Sequence, residues 1–337
     1  MPEKTLIVAE VGVNHNGSLD TAKKLVRAAR LAGADAVKFQ TFRSEDLVSV
    51  YAEKASYQKR TTGKQETQFE MLKRLELSEL EYKKLVLHCN KTGVEFISTP
   101  FDLRSVDFLE SIGVGRYKIA SGDLTNPELL YHVGRKRKPV ILSTGMANLG
   151  EVESALESLR SGGTRRITLL HCVTEYPAPV AEVNLRAMLT LRDAFKLPVG
   201  YSDHTEGMEV PIAAVALGAT IVEKHFTLDR RMKGPDHMAS IEPEGLRQMI
   251  RAIRSVELAL GDGVKRPSPS ELPNIDAARR SIVASTYIAT GERVTIRKIA
   301  FKRPGTGIQP KDIEKVLNLR CTVDVPAGTV LTWDMFK

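Results

Sequence analysis

Eight times between Thr5 and His225, a short run of β-prone residues is followed by a helical pattern. The runs are Thr5–Val11, Asp35–Gln40, Val94–Thr99, Arg116–Ala120, Pro139–Ser143, Arg166–His171, Pro198–Ser202 and Thr220–His225. Amphipathic stretches at Leu19–Leu31, Glu151–Leu159, Asn184–Phe195 and Pro211–Leu217 lie between them, and Glu242–Leu260 follows the last. Gly33, Gly93, Gly113 and Gly218 stand where helices should stop before the next strand. Such alternation implies parallel strands joined by right-handed crossovers, and eight such units close a barrel. An α/β fold, a (β/α)8 TIM barrel over residues 1–262, is therefore expected, close to the typical ~250 residues.

The texture then changes. Residues 263–276 belong to a Pro-rich stretch without a periodic apolar pattern (GDGVKRPSPSELPNID from Gly261) and read as a linker. Beyond it, Ile288–Thr295 (IATGERVT) is echoed by Val325–Thr332 (VPAGTVLT), each with a Gly turn between β-prone segments. Residues 277–337 thus form a small β-rich domain, short enough to need packing on a barrel, its own or a second chain's. Cys89, Cys172 and Cys321 are odd in number and widely spaced, so neither a disulfide framework nor a Cys-based zinc site is indicated. With no apolar run of membrane-spanning length and no signal-peptide pattern at the start, a reducing cytoplasmic setting is expected. The net charge of +8 suits acidic small molecules as well as nucleic acid. Its one basic cluster, Arg135–Lys138, reads as a solvated loop, and no aromatic group accompanies it.

Strand parity carries the chemistry. In a barrel, alternate residues point inward and reactive groups gather at the C-terminal strand ends. Low inward positions are apolar (Val8, Ile97, Ile141, Ile221), whereas Glu10, Lys38, Gln40, Thr99, Lys118, Ser143, Ser202, His204, Glu223 and His225 share that parity near the exits. Neighbouring strands lie only ~4.8 Å apart, so His204 and His225 can meet one divalent cation, with Glu10 and Glu223 near. Imidazole with carboxylate or water suits Mn²⁺, Mg²⁺, Zn²⁺ or Fe²⁺. Lys38, Lys118 and the hydroxyls of Ser121, Ser143 and Ser202 suit a phosphate with a carboxylate; alternatively the lysines pair with Glu10 and Glu223. His15 is either a substrate contact or a loop-stabilising residue. Without a Walker-type or Gly-x-Gly-x-x-Gly loop, nucleotide cofactors are not expected.

At these residues the chain resembles the sialic acid synthase family, the phosphoenolpyruvate-condensing nonulosonate synthases. The stretches are AEVGVNHNG (9–17), VKFQTF (37–42), STPFD (98–102), YKIASGD (117–123), ILSTGMANLGE (141–151), LLHCVTEYPAP (169–179), VGYSDHTEG (199–207), VEKHFTLDRRMKGPDHMASIEP (222–243) and FKRPGTG (301–307). The resemblance implies a barrel followed by an antifreeze-like (SAF) domain, in a domain-swapped homodimer. It implies metal ligation by His204 and His225, with Mn²⁺ or Mg²⁺ as the cofactor, and Glu10 beside the reacting water. Lys38, Thr99, Lys118, Ser121, Ser143 and Ser202 would hold phosphoenolpyruvate. Gln40, Tyr176, Glu223 and Asp236 would contact an open-chain N-acetylated hexose, and Arg303 would reach the partner's site. Thr174 is a further substrate-binding candidate. It stands where some sialate synthases carry Asn, and Glu175 where they carry an apolar residue. Together with the loop Ala52–Gly63, these departures look more like the legionaminate-type branch. They favour 2,4-diacetamido-2,4,6-trideoxymannose over N-acetylmannosamine as the sugar. The expected product is a nine-carbon 2-keto acid plus phosphate released by C–O cleavage. The rival readings are a Schiff-base aldolase built on Lys118 and a basic carbohydrate- or nucleic-acid-binding protein.

Overall fold

The β-branched runs become eight parallel strands: β1 (Leu6–Gly12), β2 (Ala36–Thr41), β3 (Glu95–Pro100), β4 (Tyr117–Ile119), β5 (Val140–Ser143), β6 (Ile167–His171), β7 (Val199–Asp203) and β8 (Ile221–His225). These come from a computed structural model that describes residues 4–63 and 65–337. Hydrogen-bonded order runs β3-β2-β1-β8-β7-β6-β5-β4. β4 keeps only three residues and stands beside β3 without a ladder, which brings the sheet round on itself as a barrel.

Alternation divides the strand residues between two cores. Val37, Phe39, Tyr117, Ile119, Tyr201 and Val222 face outward and bury against helix residues such as Leu25, Leu85, Leu109, Leu156 and Met249. Val8, Ala36, Ile97, Ile141, Leu170 and Ile221 fill the barrel's interior near its N-terminal end. The helices between strands are punctuated as their sequences require. Leu19–Ala32 begins at Ser18, whose hydroxyl accepts from Thr21 N, and stops at Gly33 in the left-handed region at φ 101°. Glu79–Thr92 starts with a Ser78/Glu81 capping box and ends at Gly93. The helix expected from Asn184 begins instead at Ala187, because Asn184 takes a positive φ of 45° that a helix cannot continue. The basic run is a surface turn in which Lys136 pairs with Asp107 at 2.5 Å and Lys138 with Glu110 at 3.0 Å.

One excursion departs from the simple alternation. Between β2 and Glu79–Thr92 lie three short helices, Ser44–Leu47, Ser56–Thr62 and Gln68–Lys73, over a small core of Val13, Phe42, Met71 and Leu75. Lys54 is buried there, held by Thr62 Oγ1 at 2.9 Å and Glu66 at 3.3 Å.

The chain separates into two compact units, one ending at Gly261 and one running from Asp262 to Lys337. The stretch read as a linker is not wholly irregular, since Leu272–Ala278 forms a helix whose first turn accommodates Pro273. β9 (Ser281–Ala284) and β10 (Ile299–Lys302) pair antiparallel. The two echoing segments do not make long strands. They meet at single bridges, Ile288 and Val325 exchanging both backbone hydrogen bonds at 2.9 Å, before turning at Gly291 and Gly328. Gly291 N donates to Cys321 O and Gly328 N donates to Ala284 O, so equivalent positions make equivalent bonds across a local two-fold. Ile282, Ile288, Val294, Val316, Val325 and Leu331 form this unit's own core. All three cysteines are free and buried, and no described helix is long and apolar enough to cross a membrane.

Candidate functional site

Register brings the polar strand ends together. Glu10 on β1 lies directly opposite Lys38 on β2 and His225 on β8, Gln40 lies opposite Thr99, and Ser202 on β7 lies opposite Glu223. Their side chains converge on a cavity of about 310 Å³ at the C-terminal end of the barrel. Lys118, Ser121, Ser143, Thr174, Tyr176, His204 and Asp236 line the same space. Arg303 belongs to the C-terminal unit, where it is exposed and its Nε donates to Ala278 O at 2.9 Å. Gly12 makes the β1 exit possible. At φ 53° it turns the strand at an irregularity in the β1–β2 ladder, and a Cβ there would stand 3.0 Å from Glu10 Oε1.

The charges form one buried chain. Lys38 Nζ lies 2.9 Å from Glu10 Oε1 and 3.8 Å from Glu223 Oε1, and Lys118 Nζ lies 3.5 Å from Glu223 Oε1. Gln40 Nε2 donates to Glu10 at 3.2 Å, Lys38 to Thr99 Oγ1 at 3.2 Å, and Ser202 Oγ to Glu223 at 3.0 Å. The lysines thus do pair with the carboxylates, as one of the two readings required. The members are not equivalent. Burial pushes Glu10 above the usual carboxylate range despite Lys38, and Glu223's charge adds to the effect. Burial lowers Lys118, and Glu223 only partly opposes it. Burial alone would likewise lower Lys38 and raise Glu223. Instead Glu10 and Glu223 hold Lys38 up, while Lys118 and Lys38 hold Glu223 down. Asp236 is pushed up to about 7 by burial and by Glu10.

His204 and His225 approach with ring centroids 5.4 Å apart, and Tyr176 lies 4.2 Å from the first and 5.4 Å from the second. His204 Nδ1 donates to Val173 O at 2.5 Å, which leaves Nε2 with the free lone pair. Burial drives both imidazoles toward neutrality, His204 to about 4 and His225 well below its usual value. Neutral imidazole is the ligating form. Four buried polar atoms of the cavity wall have no protein partner: Glu10 Oε2, Ser143 Oγ, Thr174 Oγ1 and His225 Nδ1. Buried polar atoms are ordinarily satisfied, so orphans gathered on one wall point to a ligand. The donor set therefore fits a divalent cation at the imidazole pair. Among the described residues no three His, Cys, Asp or Glu side chains form a preformed ligand set, so two imidazoles would be the protein's share.

His15 lies outside this wall. It is buried, its Nδ1 accepts from Gly17 N at 3.0 Å, and its ring lies 6.1 Å from Phe39, so it holds the β1 loop together. The sequence reading marks the loop Ala52–Gly63 only as bearing on the choice of sugar; it names none of its residues as cavity lining and does not include the helix that follows. Tyr57, Gln58, Gln68, Met71 and Leu72 all line the cavity, as do Phe101 and Cys172. The Tyr57 ring reaches Tyr176 at 4.9 Å, and Arg60 meets Glu175 at 3.3 Å, which ties the excursion to the β6 loop. One available signal was the pair of capping boxes Thr67–Glu70 and Ser78–Glu81, which mark helix starts that periodicity cannot show.

Comparison with known proteins agrees with this architecture. A model of the NeuB family matches residues 25–265, and a SAF domain model matches residues 279–337. N,N'-diacetyllegionaminic acid synthase of Campylobacter jejuni is 52% identical over 317 residues, which cover 94% of this chain and 95% of that one. The Legionella pneumophila enzyme of the same name is 48% identical over 332 residues, covering 97% and 93%. The crystal structure of N-acetylneuraminic acid synthetase from Leptospira borgpetersenii superposes with a TM-score of 0.71 at 35% identity, over 81% of this chain and 90% of that chain. With its barrel matched along residues 25–265 and such relatives along nearly its whole length, the chain belongs to the NeuB family and is an enzyme of the sialic acid synthase type.

Proposed function

We propose that the cavity condenses phosphoenolpyruvate with an open-chain 2,4-diacetamido-2,4,6-trideoxy hexose and water, giving a nine-carbon 2-keto acid of the legionaminic type and phosphate. The observation that carries this is one cavity holding two buried lysines, three buried acidic side chains (Glu10, Glu223 and Asp236) and two neutral imidazoles. The choice of sugar rests on the two relatives named as diacetyllegionaminic acid synthases. In the reaction, C3 of phosphoenolpyruvate bonds to the sugar's aldehyde carbon, whose oxygen becomes a hydroxyl by taking one proton of the adding water, passed on by Glu10, while the other leaves with phosphate. Water adds at C2, and the resulting tetrahedral centre loses phosphate by cleavage of its C–O bond. A divalent cation at His204 and His225, Mn²⁺ or Mg²⁺, would supply a Lewis acid for the aldehyde oxygen. Lys38 and Lys118, with Thr99, Ser121, Ser143 and Ser202, hold the phosphate and carboxylate charges of phosphoenolpyruvate. Glu10 takes the proton of the adding water at Oε2, its unpartnered oxygen. Gln40, Thr174, Tyr176, Glu223 and Asp236 orient the sugar. Tyr57 and Met71 close the same wall and exclude water.

A second chain completes the site in this reading. Tyr51, Met146, Val180 and Met238 are 88%, 72%, 65% and 60% exposed in the segments after β2, β5, β6 and β8. Exposed apolar side chains on the segments that follow strand C-terminal ends support a covering partner, and Arg303 from a swapped C-terminal unit would meet the sugar there. The buried free cysteines suit the reducing cytoplasm. Mass spectrometry of products from phosphoenolpyruvate and a panel of acetamido hexoses tests the reaction. In heavy-oxygen water the label should enter the keto acid and not the phosphate. Catalytic efficiency for N-acetylmannosamine about tenfold above that for the diacetamido sugar would reverse the choice of substrate. Mixing Arg303→Ala chains with His225→Ala chains should regain activity if the site is shared between subunits. Failure after verified exchange would end that part of the reading.

A further inference from the structure

The two imidazoles are braced from behind. At the exits of β7 and β8 the register sets Ser202 opposite Glu223 and Asp203 opposite Lys224. Ser202 and Glu223 line the cavity; by strand alternation Asp203 and Lys224 point the other way, and neither lines the cavity wall. Both are buried, with side-chain exposures of 0% and 3%, and they form an ion pair between Lys224 Nζ and Asp203 Oδ2. The pair also grips the chain beyond β7. Asp203 Oδ1 accepts from Thr205 N at 3.0 Å and from Thr205 Oγ1 at 2.8 Å, while Lys224 Nζ donates to Thr205 O at 2.8 Å.

His204 lies between Asp203 and Thr205, so the residues on both sides of it are fixed by this one ion pair. Lys224 directly precedes His225. A rotation of either backbone would have to break buried, charge-assisted hydrogen bonds. The side chain of His204 is fixed separately, through Nδ1 to Val173 O. A buried ion pair is commonly no more stabilising than apolar residues of the same volume, so its presence here asks for a reason other than stability.

We propose that Asp203 and Lys224 are positioning residues that hold His204 and His225 in a fixed relative pose, so that a divalent cation meets the imidazole pair already arranged. This rests on reading that pair as a metal site. Groups that orient metal ligands from behind typically change metal affinity about 10–100-fold when removed, and that is the size expected here.

The test titrates Mn²⁺ alone into the full-length protein, with free ion counted by electron paramagnetic resonance and folding verified by circular dichroism. Lys224→Met should weaken Mn²⁺ binding by about 10–100-fold, and Asp203→Asn, which keeps an acceptor for Thr205, by about tenfold. Arg254→Met is the control. It breaks an ion cluster at the other end of the barrel and should lower Tm without moving Mn²⁺ affinity. If Lys224→Met does not fold, the near-isosteric Asp203→Asn decides. A folded variant of either residue that binds Mn²⁺ within about twofold of wild type makes the pair merely structural and overturns the inference. Wild-type protein that binds no Mn²⁺, or His225→Ala that binds it as well as wild type, overturns the metal reading and this inference with it. The two failures are thereby told apart.

Discussion

The two ends of the barrel are built from the same eight strands with the same parity, and they spend their inward positions in opposite ways. Near the N-terminal end, Val8, Ile97, Ile141, Leu170 and Ile221 close a dry plug. Two carboxylates and an arginine at that end engage one another and the backbone. Asp35 accepts from Ile7 N at 2.9 Å and Arg254 at 2.8 Å, and Glu257 accepts from Thr5 N at 2.7 Å and Arg254 at 2.8 Å. At the C-terminal end, the carboxylates, lysines and imidazoles crowd one cavity, and four buried polar atoms go without partners. One end is built for stability; the other gives up stability to pre-arrange charge for a ligand.

The strongest test of that division is Glu10→Gln at the mouth. The amide keeps the volume and the contact with Gln40 but cannot take a proton. Catalytic efficiency should fall about 10³-fold, within the range for a general base, while Tm falls only slightly, because Lys38 loses its Glu10 partner but still faces Glu223. A large fall in Tm would mean that the mouth also supports the fold. Ile97→Ala is the converse. Ile97 is fully buried in the plug, and its truncation should cost about 2–5 kcal/mol in urea unfolding. Turnover per folded molecule should stay within about twofold, since no reacting group is touched. Loss of turnover without loss of stability would break the comparison.

The same contrast explains what could be read in advance. Strand parity alone put Glu10, Lys38, Lys118, His204, Glu223 and His225 on one wall, because a period of two leaves no freedom once the barrel is assumed. The loop Ala52–Gly63 stood out, yet which of its residues face the cavity did not, and Met71 escaped altogether, since helices of seven and six residues (Ser56–Thr62, Gln68–Lys73) are too short to show a period. The tail's repeat was visible, yet its segments form single bridges instead of strands, because each turns at a glycine almost at once. The Asp203–Lys224 pair was hidden for another reason. Parity aims Asp203 and Lys224 at the helix layer, but nothing in the sequence shows that the two meet there, and only the tertiary packing makes them a pair.

The smallest predicted effect has opposite signs at the two ends, and pH reads it. Asp123 is half-buried in the turn Ser121–Asp123 after β4, and burial raises its carboxyl to about 6 from 3.8, with Asn126 pulling the other way. Because the folded-state value exceeds the unfolded one, Asp123's contribution is fully present below about pH 4 and is lost as pH rises through about 6. Above that, the ionised carboxylate is a net cost. Asp123→Asn should therefore gain about 1 kcal/mol at neutral pH, after allowing for solvent screening, and nothing in acid. At the other end, Glu257 is held below its usual range: burial would raise it, but Thr5 and Arg254 outweigh burial. Its stabilisation is present above the unfolded carboxylate value of 4.5 and disappears as pH falls through the lowered one. Glu257→Gln should accordingly lose stability at neutral pH and converge on wild type in acid. Urea unfolding of both variants and wild type across that range gives two difference curves. Slopes of the same sign would show that the two ends handle buried carboxylates alike.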